Sequence, residues 1–364
     1  MDKEPGSVST CLQQLLAQEI TVQGGWLPFD RFMQRALYEP GLGYYSHGSA
    51  KFGLMPAGGS DFVTAPELST LFGRTLAVQV RQALQVSGTT QVVEFGAGSG
   101  ALAEQLLDTL GDAVQSYAIV ELSGALGERQ RQRLARYAPK VRWLQSWPEA
   151  IEGVVVGNEL LDAMPVQLLS WDGASWHERG VVMTGSGFGW GDRPSALRPP
   201  QAGPFSPATV TEIHLQAEAF VTTLAQRLRR GAALFIDYGF PQAEYYHPQR
   251  IAGTLMCHRA HQLDSDPLSD VGLKDITAHV NFTGIALAAQ SAGMDVAGYT
   301  SQGRFLLNCG LAALLESASL PERALALRLV TEHEMGELFK VLALTRDCRL
   351  DPIGFAQGDR THRL

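Results

Sequence analysis

A glycine-rich turn constrains the fold of this chain more than any other feature of its sequence. In VVEFGAGSGALAEQLL (92–107), an apolar run leads into three alternating glycines and then into a stretch with helical periodicity. This order predicts a strand, a tight turn and a helix, because glycines leave the backbone open to a ligand and the helix adds free N–H groups. Dinucleotides, nucleoside triphosphates and S-adenosylmethionine all bind at turns of this kind, so the turn alone leaves the ligand open.

The chain after this turn alternates between short apolar runs and helical stretches. Sequential strands with helices between them predict an α/β fold with a mostly parallel sheet covered on both faces. The predicted strands are 91–95, 117–121, 141–144, 153–158 and 232–239, and the predicted helices are 101–110, 124–137 and 210–229. We also expect 295–300 and 304–310 to close the sheet as an antiparallel hairpin.

Two regions are predicted from these patterns. Residues 1–88 form a helical N-terminal region that contains a long connection at 39–67, and residues 89–364 form the sheet domain. Loops of that length inside a compact domain are usually functional. The sheet domain carries insertions at about 167–208, where the sequence alternates and turns like antiparallel strands, and at about 241–275.

Two acidic residues help to choose the ligand of the turn. Glu94 lies two residues before the first glycine, where a carboxylate repels a pyrophosphate and attracts the ammonium and sulfonium groups of S-adenosylmethionine. Glu121 ends the second strand, at the distance where a carboxylate accepts the ribose hydroxyls of either ligand. Ala101 and Leu102 stand where a triphosphate-binding turn needs Lys and Ser or Thr, which excludes nucleoside triphosphates. Ala101 also completes a dinucleotide fingerprint, so an NAD-dependent oxidoreductase stays an alternative, which Glu94 disfavours.

A third acidic segment follows the predicted fourth strand. GVVVGNELLDAMPV (153–166) is an apolar run that ends at Asn158 and continues with Glu159 and Asp162. Ligands of such sheets bind beyond the carboxyl ends of the strands at the switch point, where this strand lies beside the first. Glu159 and Asp162, spaced i and i+3 on one helical face, are therefore our candidate catalytic residues. Asn158 is a candidate cofactor contact, with a helix N-cap as its alternative role.

Motifs spread over nearly the whole chain resemble those of one family, the MidA-type class I methyltransferases. They are FMQRALYEPGLGYY (32–45), DFVTAPELSTLF (61–72), the glycine-rich turn at 94–100, YAIVELS (117–123), NELLDAMPV (158–166), IDYG (236–239), GTL (253–255), DITAHVNF (275–282) and SQGRFL (301–306). The resemblance implies a Rossmann-like class I methyltransferase sheet and S-adenosyl-L-methionine as the cofactor.

The same resemblance implies roles for the residues of the predicted site. The loop at 61–67 is expected to fold over the cofactor, and Asn158 and Glu159 are expected to close the site near the transferred methyl group. Together with the arguments above, the expected cofactor contacts are Asp61, Thr64, Glu94, Gly96, Gly98, Gly100, Glu121 and Asn158.

The expected methyl acceptor also follows from the resemblance. Mitochondrial members of the family are protein-arginine methyltransferases that assist the assembly of respiratory complex I, which implies an arginine side chain of a protein, such as a respiratory subunit. A guanidinium is planar and always charged and prefers bidentate carboxylate partners, which Glu159 and Asp162 would provide. The alternatives are a methyltransferase with a small-molecule or other protein acceptor, and an assembly factor that binds the cofactor without turnover.

Composition limits the partners and the location. The formal net charge of −8 argues against nucleic acid as the main partner, because phosphate binding needs a basic face. No apolar run reaches the length that spans a bilayer, so no membrane insertion is expected. The four cysteines form no C-x-x-C pair, and no metal site is predicted. The first residues lack the pattern of a targeting segment, which predicts a cytoplasmic protein.

Overall fold

The computed structural model describes residues 5–46, 63–259 and 262–364 of the chain. The N-terminal elements are helix α1 (Pro5–Val22), the short strand β1 (Leu27–Pro28) and helix α2 (Phe29–Tyr38). α2 is amphipathic, and its apolar face is buried through Phe29, Phe32, Met33, Ala36 and Leu37. The last residue of this helix, Tyr38, lines a cavity at the edge of the central sheet.

Two helices lead from the N-terminal elements to the sheet, α3 (Ala65–Leu68) and α4 (Thr70–Ser87). α4 begins at Ser69, whose hydroxyl accepts the Leu71 N–H at 3.2 Å. It ends at Gly88, whose left-handed φ of 64° stops the helix. These local signals explain why a long helix fits between the loop and the first strand of the sheet.

The central sheet has eight strands and is mostly parallel. Its strands are β2 (Gln91–Phe95), β3 (Ser116–Val120), β4 (Val141–Leu144), β5 (Ile151–Asn158), β10 (Leu228–Phe240), β14 (Val280–Asn281), β15 (Asp295–Ser301) and β16 (Phe339–Arg346). The main order is β15, β16, β10, β5, β2, β3 and β4, and β14 pairs with the end of β10. β16 runs antiparallel to both its neighbours, while the remaining pairs are parallel. The predicted Rossmann-like sheet is confirmed, with β5 beside β2.

Helices cover both faces of this sheet. They are α5 (Ala101–Leu110), α6 (Gly124–Arg133), α7 (Leu215–Arg227), α8 (Gln242–Tyr245), α9 (Phe282–Ser291), α10 (Gln302–Asn308), α11 (Leu311–Ser317) and α12 (Leu320–Arg328). Val92 and Val154 belong to a core shared with α4 and α5, whereas Val93 and Val155 belong to a core shared with α7 and α9. Alternate strand residues are thus buried on opposite faces, as a covered parallel sheet requires.

Two smaller antiparallel sheets flank the central one. The first contains β1, β6 (Gln167–Trp171), β7 (Trp176–Thr184), β8 (Gly187–Pro194) and β9 (Val210–Ile213), and the second contains β11 (Met256–Arg259), β12 (Gln262–Asp264) and β13 (Asp275–Thr277). β1 pairs with β7, so the N-terminal elements pack on the first of these sheets. Their shared apolar core includes Phe32, Val181 and Ile276. This core places the end of α2 beside the central sheet.

The structure corrects two predicted elements. Residues 304–310 are not a strand, because 302–308 form α10 with Phe305 and Leu306 buried; the strand that pairs with β15 is β16. A short apolar run fits a buried helix as well as a strand, which explains the error. The predicted helix at 210–229 begins instead with four strand residues, β9. Within the described ranges, none of the helices has the length and apolarity needed to cross a membrane.

Candidate functional site

A large cavity lies beyond the carboxyl ends of β2, β3, β5 and β10. Its volume is about 1030 Å³, at the upper end of the range for small-molecule sites. The wall combines the glycine-rich turn, the residues that follow β3 and β5, the end of α2 with the residues after it, and parts of 256–279. Ligands of parallel α/β sheets bind at this position, so the cavity is the candidate site.

The glycine-rich turn forms one wall of the cavity through residues with left-handed backbone angles. The φ angles are +68° at Gly96, +53° at Gly98 and +82° at Gly100, and residues other than glycine rarely adopt such backbone angles. Gly96 and Gly98 line the cavity. Gly100 instead precedes α5, and a Cβ atom there would point toward Gln130 Cγ at 3.6 Å. Two glycines therefore open the backbone to a ligand, and the third supplies the left-handed residue from which α5 begins.

Glu94 lines the cavity from the strand β2, with only 2% of its surface exposed. The Tyr117 hydroxyl donates to Glu94 Oε2 at 2.5 Å. Burial raises the pKa of Glu94 to about 7, and the hydrogen bond from Tyr117 opposes this rise. The carboxyl group is therefore poised between its two protonation states near neutral pH, and a bound cation would favour the ionised form.

Glu121 follows β3, and both its carboxylate oxygens are held in place. Oε1 accepts the Ser123 N–H at 2.8 Å, and Oε2 accepts an N–H of the Gln130 amide at 3.0 Å. Burial raises the pKa of Glu121, while these hydrogen bonds oppose the rise. A carboxylate has about four acceptor positions, so a fixed Glu121 can also accept hydroxyl groups from a ligand.

Aromatic side chains form part of the cavity wall. The rings of Phe95, Trp147 and Phe220 pack against one another with centroid distances of 4.6, 5.2 and 4.9 Å, and all three line the cavity. Leu122 also lines it, although 79% of its surface is exposed. A cavity that offers both apolar rings and a fixed carboxylate suits a nucleoside, whose base packs on rings and whose ribose donates hydroxyls.

The candidate catalytic residues lie on a turn after β5. The prediction that Glu159 and Asp162 share a helical face is wrong, because residues 159–164 form no helix. Glu159 has a left-handed φ of +50°, and its N–H donates to Ile236 O on the neighbouring strand β10 at 2.8 Å. A left-handed residue at this point turns the chain away from a helical path. Both carboxyl groups nevertheless line the cavity.

Asp237 on β10 holds this turn in place. Its Oδ2 atom accepts three backbone N–H groups, at 3.1, 2.8 and 3.3 Å, from Leu160, Leu161 and Asp162. One buried carboxylate oxygen therefore serves as the acceptor for three successive N–H groups of the turn. The sequence patterns alone do not mark Asp237 as a site residue. The signal was present, because it is an acid near the carboxyl end of a predicted parallel strand, as Glu94 is.

Asn158 contacts Glu159 and does not cap a helix. Its Nδ2 donates to Glu159 Oε1 at 2.9 Å, and the Ala65 N–H donates to the same oxygen at 3.4 Å. Asn158 Oδ1 is buried and accepts no hydrogen bond within the described part of the chain. The N-cap alternative is therefore not what the structure shows. A buried acceptor without a partner at a cavity wall marks a place for a donor from a ligand.

The carboxyl groups of the turn are shifted toward their protonated forms. Burial, and then the neighbouring Asp162, raise the pKa of Glu159 to about 8. Burial raises the pKa of Asp162 to about 6, against the effect of the Tyr238 hydroxyl. Oδ1 of Asp162 is buried without a hydrogen-bond partner among the described residues. A cation placed between these groups would lower both pKa values and would supply the missing donors.

Helix α3 is attached to the glycine-rich turn by charged side chains. Glu67 accepts hydrogen bonds from the Ser99 hydroxyl and from Arg133 Nη1, the latter at 2.9 Å. Thr64, immediately before α3, lines the cavity. This attachment places the start of α3 next to both the turn and Glu159. The other predicted contact of this segment, Asp61, lies outside the described residues.

Two cavity residues, Asp275 and His279, lie on and just after β13, the last strand of the second small sheet. Asp275 on β13 is buried and accepts a hydrogen bond from the Tyr45 hydroxyl. His279 stacks on Phe240 with an interplanar angle of 2°, and burial lowers its pKa to about 4, so its ring is neutral. The sequence analysis assigned Asp275 no role, because only tertiary contacts bring it to the site. Both residues line the cavity.

The charge of the lining tests which cofactor fits. The carboxyl groups along the wall belong to Glu94, Glu121, Glu159, Asp162 and Asp275, and no lysine or arginine is among the lining residues in the described ranges. A pyrophosphate would meet these carboxylates, and the described part of the lining offers it no lysine or arginine in compensation. S-adenosylmethionine, which carries an ammonium, a sulfonium and a ribose, matches these acceptors.

Comparison with known proteins decides between these ligands. Over 99% of its length the chain is similar to a COG1565 superfamily member from Burkholderia thailandensis solved bound to S-adenosyl-homocysteine, with 49% identity, a TM-score of 0.95 and 98% of that chain covered. The family described as S-adenosyl-L-methionine-dependent methyltransferase, the MidA-type group, matches residues 71–300. The chain belongs to this family. This methyltransferase uses S-adenosylmethionine as its cofactor, and the NAD-dependent alternative is excluded.

Curated relatives of this methyltransferase have a more specific name. A Caenorhabditis elegans protein, 28% identical over 85% of this chain and 79% of its own, is named protein arginine methyltransferase NDUFAF7 homolog, mitochondrial. A Danio rerio protein with the same principal name is 28% identical over 94% of this chain and 89% of its own.

These names correct the predicted location. The cytoplasmic assignment is contradicted by relatives that are named mitochondrial, including those from mouse and human. The assignment depended only on the apparent lack of a targeting pattern at the first residues. Such a lack says nothing positive about a compartment, which is why the inference failed.

We expect the affinity of this methyltransferase for S-adenosylmethionine to increase as the pH rises through about 7. Below that value Glu94 is neutral, and above it the ionised carboxylate attracts the cationic cofactor. Replacement of Glu94 by Gln should remove this component and weaken binding at about pH 8 by about tenfold. Calorimetric titrations of both proteins on each side of neutrality measure the effect.

Glu128→Gln is the matched control for this experiment. Glu128 is exposed on α6, where it contacts Arg131 at 3.7 Å and accepts a hydrogen bond from the Gln132 amide at 3.2 Å. This variant should retain the pH dependence of the wild type. If Glu94→Gln and the wild type show the same pH dependence, Glu94 does not contact the cofactor.

Proposed function

We propose that this methyltransferase transfers the methyl group to an arginine side chain of a protein. The observation that carries the proposal is the pair of carboxyl groups of Glu159 and Asp162 on one turn, with Asp162 Oδ1 buried and without a hydrogen-bond partner among the described residues. A guanidinium offers several N–H donors in one plane and can satisfy two carboxylates at once. The names of the curated relatives support the same acceptor.

The proposed reaction requires both alignment and the removal of one proton. S-adenosylmethionine, when bound, supplies an electrophilic methyl group. Glu159 and Asp162 would accept N–H groups of the guanidinium and orient one nitrogen. That nitrogen gains the methyl carbon and loses a proton as the sulfur–methyl bond breaks, and Glu159 would accept the proton. Burial raises the pKa of Glu159 to about 8, so its carboxyl group resists ionisation until a cation lies beside it.

Electrostatics explain how an acid with a raised pKa can act as a base. Before the acceptor binds, burial and Asp162 favour the protonated form of Glu159. A guanidinium is charged at every accessible pH, so its arrival favours the ionised form of both neighbours. Binding of a charged acceptor therefore increases the ionised fraction of Glu159, whereas a neutral acceptor would lack this effect.

Transfer of a radiolabelled methyl group tests the proposal directly. The purified protein is incubated with labelled S-adenosylmethionine and a cell lysate, and the labelled proteins are hydrolysed in acid. Label in methylated arginine is the expected result. Label in a small molecule or in a different amino acid would replace the proposed acceptor. Binding of the cofactor with no labelled product would instead indicate an assembly factor without turnover.

A further inference from the structure

The short helix α3 connects the glycine-rich turn to the turn that carries Glu159. At the start of α3, the Ala65 N–H donates to Glu159 Oε1 at 3.4 Å. Near its end, Glu67 accepts hydrogen bonds from the Ser99 hydroxyl and from Arg133 Nη1. We infer that Glu67 is a positioning residue, which through α3 fixes the place of Glu159 relative to the glycine-rich turn. The inference rests on the proposed function, in which Glu159 accepts a proton.

Glu67 acts through its partners, because it lies outside the cavity lining to which its neighbour Pro66 belongs. Arg133 Nη1 donates to Glu67 Oε1 at 2.9 Å and to Ser99 Oγ at 3.0 Å. Ser99 belongs to the glycine-rich turn, and its Oγ atom also accepts the Ala101 N–H at 3.3 Å, where α5 begins. Charge-assisted hydrogen bonds of this kind are stronger than neutral ones, and several of them fix one geometry. Glu67 is therefore attached to the turn itself.

α3 can transmit this attachment because it is a single, tightly packed helical turn. Ala65 is fully buried, and Gln105 Nε2 of α5 donates to Pro66 O at 2.7 Å. The Gln105 Oε1 atom accepts the Gly73 N–H of α4 at 2.9 Å. Ala65 and Glu67 are separated by only about 3 Å along the helix axis, so a shift at one end moves the other. Gln105 should keep α3 folded when Glu67 is replaced, although its exact place is then lost.

The position of the Ala65 N–H affects the ionisation of Glu159. Burial, and then the neighbouring acids, raise the pKa of Glu159 to about 8. The acids that interact with it are Asp162, Asp237 and Asp275. Hydrogen bonds from the Asn158 amide and from the Ala65 N–H oppose this rise, because they stabilise the ionised carboxylate. If α3 moves away, Glu159 should therefore stay protonated up to a higher pH.

The titration of Glu159 tests this connection without an acceptor. Carboxyl ¹³C NMR of the protein with labelled glutamate, saturated with S-adenosylhomocysteine, follows the Glu159 signal, which is assigned by its loss in Glu159→Gln. In Glu67→Ala the midpoint of this signal should shift to a higher pH than in the wild type. Glu67→Gln should titrate as the wild type does, because its amide oxygen can still accept from Ser99 and Arg133.

Rate measurements separate positioning from binding. Glu67→Ala is expected to lower the maximal rate of methyl transfer to lysate proteins by about thirtyfold, because small displacements of reacting groups are costly in rate. The affinity for S-adenosylhomocysteine and the apparent KM for the lysate should change by no more than about threefold. The thermal midpoint should stay close to the wild-type value. Glu67→Gln should recover the rate to within about threefold of the wild type.

Glu104→Ala is the matched control, because Glu104 is a second carboxylate partner of Arg133, at 2.8 Å, and belongs to α5 instead of α3. This control should keep the wild-type rate and the wild-type titration of Glu159. An unchanged Glu159 titration in Glu67→Ala, or an equal loss of rate in Glu104→Ala, would overturn the inference. The proposed function fails separately, if labelling of the lysate yields no methylated arginine. A shifted titration in Glu67→Ala would even then support the connection between Glu67 and Glu159.

Discussion

Replacement of Glu159 by Gln is expected to lower kcat for methyl transfer by about a thousandfold. Glutamine keeps the size of the side chain and can still contact Asn158 and the Ala65 N–H, which approach the Glu159 oxygen at 2.9 and 3.4 Å. It cannot take up the proton that the acceptor nitrogen loses, and it removes one of the negative charges that hold a guanidinium. Initial rates with the labelled lysate acceptor measure the loss.

Two further measurements separate catalysis from folding in this variant. The affinity for S-adenosylhomocysteine should change by no more than about twofold, because the amide oxygen of Gln can still accept from Asn158 and from the Ala65 N–H and so leaves Asn158 in place. Glu152→Gln is the control on the preceding strand β5, where Glu152 is exposed and contacts Arg230 at 3.3 Å. It should keep the wild-type rate. Substantial turnover by Glu159→Gln would remove Glu159 from the mechanism.

Replacement of Asp237 by Ala is expected to lower the free energy of unfolding by about 3 kcal/mol and kcat by about a hundredfold. The loss of stability follows because three backbone N–H groups, at 3.1, 2.8 and 3.3 Å from Asp237 Oδ2, would lose their acceptor inside the protein. The loss of rate follows because the same turn carries Glu159 and Asp162. Urea unfolding and initial rates measure the two effects.

Asp237→Asn distinguishes these effects, since its amide oxygen can still accept the N–H groups. We expect it to recover most of the stability that Asp237→Ala loses. Asp295→Ala, at an exposed position that begins β15, should change the free energy of unfolding by less than about 0.5 kcal/mol. A normal rate in Asp237→Ala would show that the turn keeps its shape without the buried carboxylate.

Most of the central sheet could be predicted from the sequence because its strands are short apolar runs at regular intervals. Four of the five predicted strands match observed ones to within two residues, and the fifth is contained in β10. The closing pair could not be predicted, because β15 and β16 are separated by α10, α11 and α12. Strand partners that lie so far apart in sequence leave no local signal.

The acidic side of the site was only partly predictable. Glu94, Glu121 and Glu159 stand at or just after predicted strands, and the carboxyl ends of parallel strands meet at one edge of the sheet. The conformation of the turn was not predictable, because it depends on Asp237, which lies 75 to 77 residues away from the N–H groups that it accepts. The contact of Tyr45 with Asp275 spans 230 residues and has no sequence signal of its own.

The residues that line the cavity come from two parts of the fold, and this division affects how relatives can diverge. The glycine-rich turn and the carboxyl groups of Glu94 and Glu121 belong to consecutive elements of the central sheet. Tyr38, Tyr45 and Asp275 belong to peripheral segments that meet only in the folded chain. Natural variation in those outer segments can therefore reshape one side of the cavity while the carboxyl groups at the strand ends are left intact.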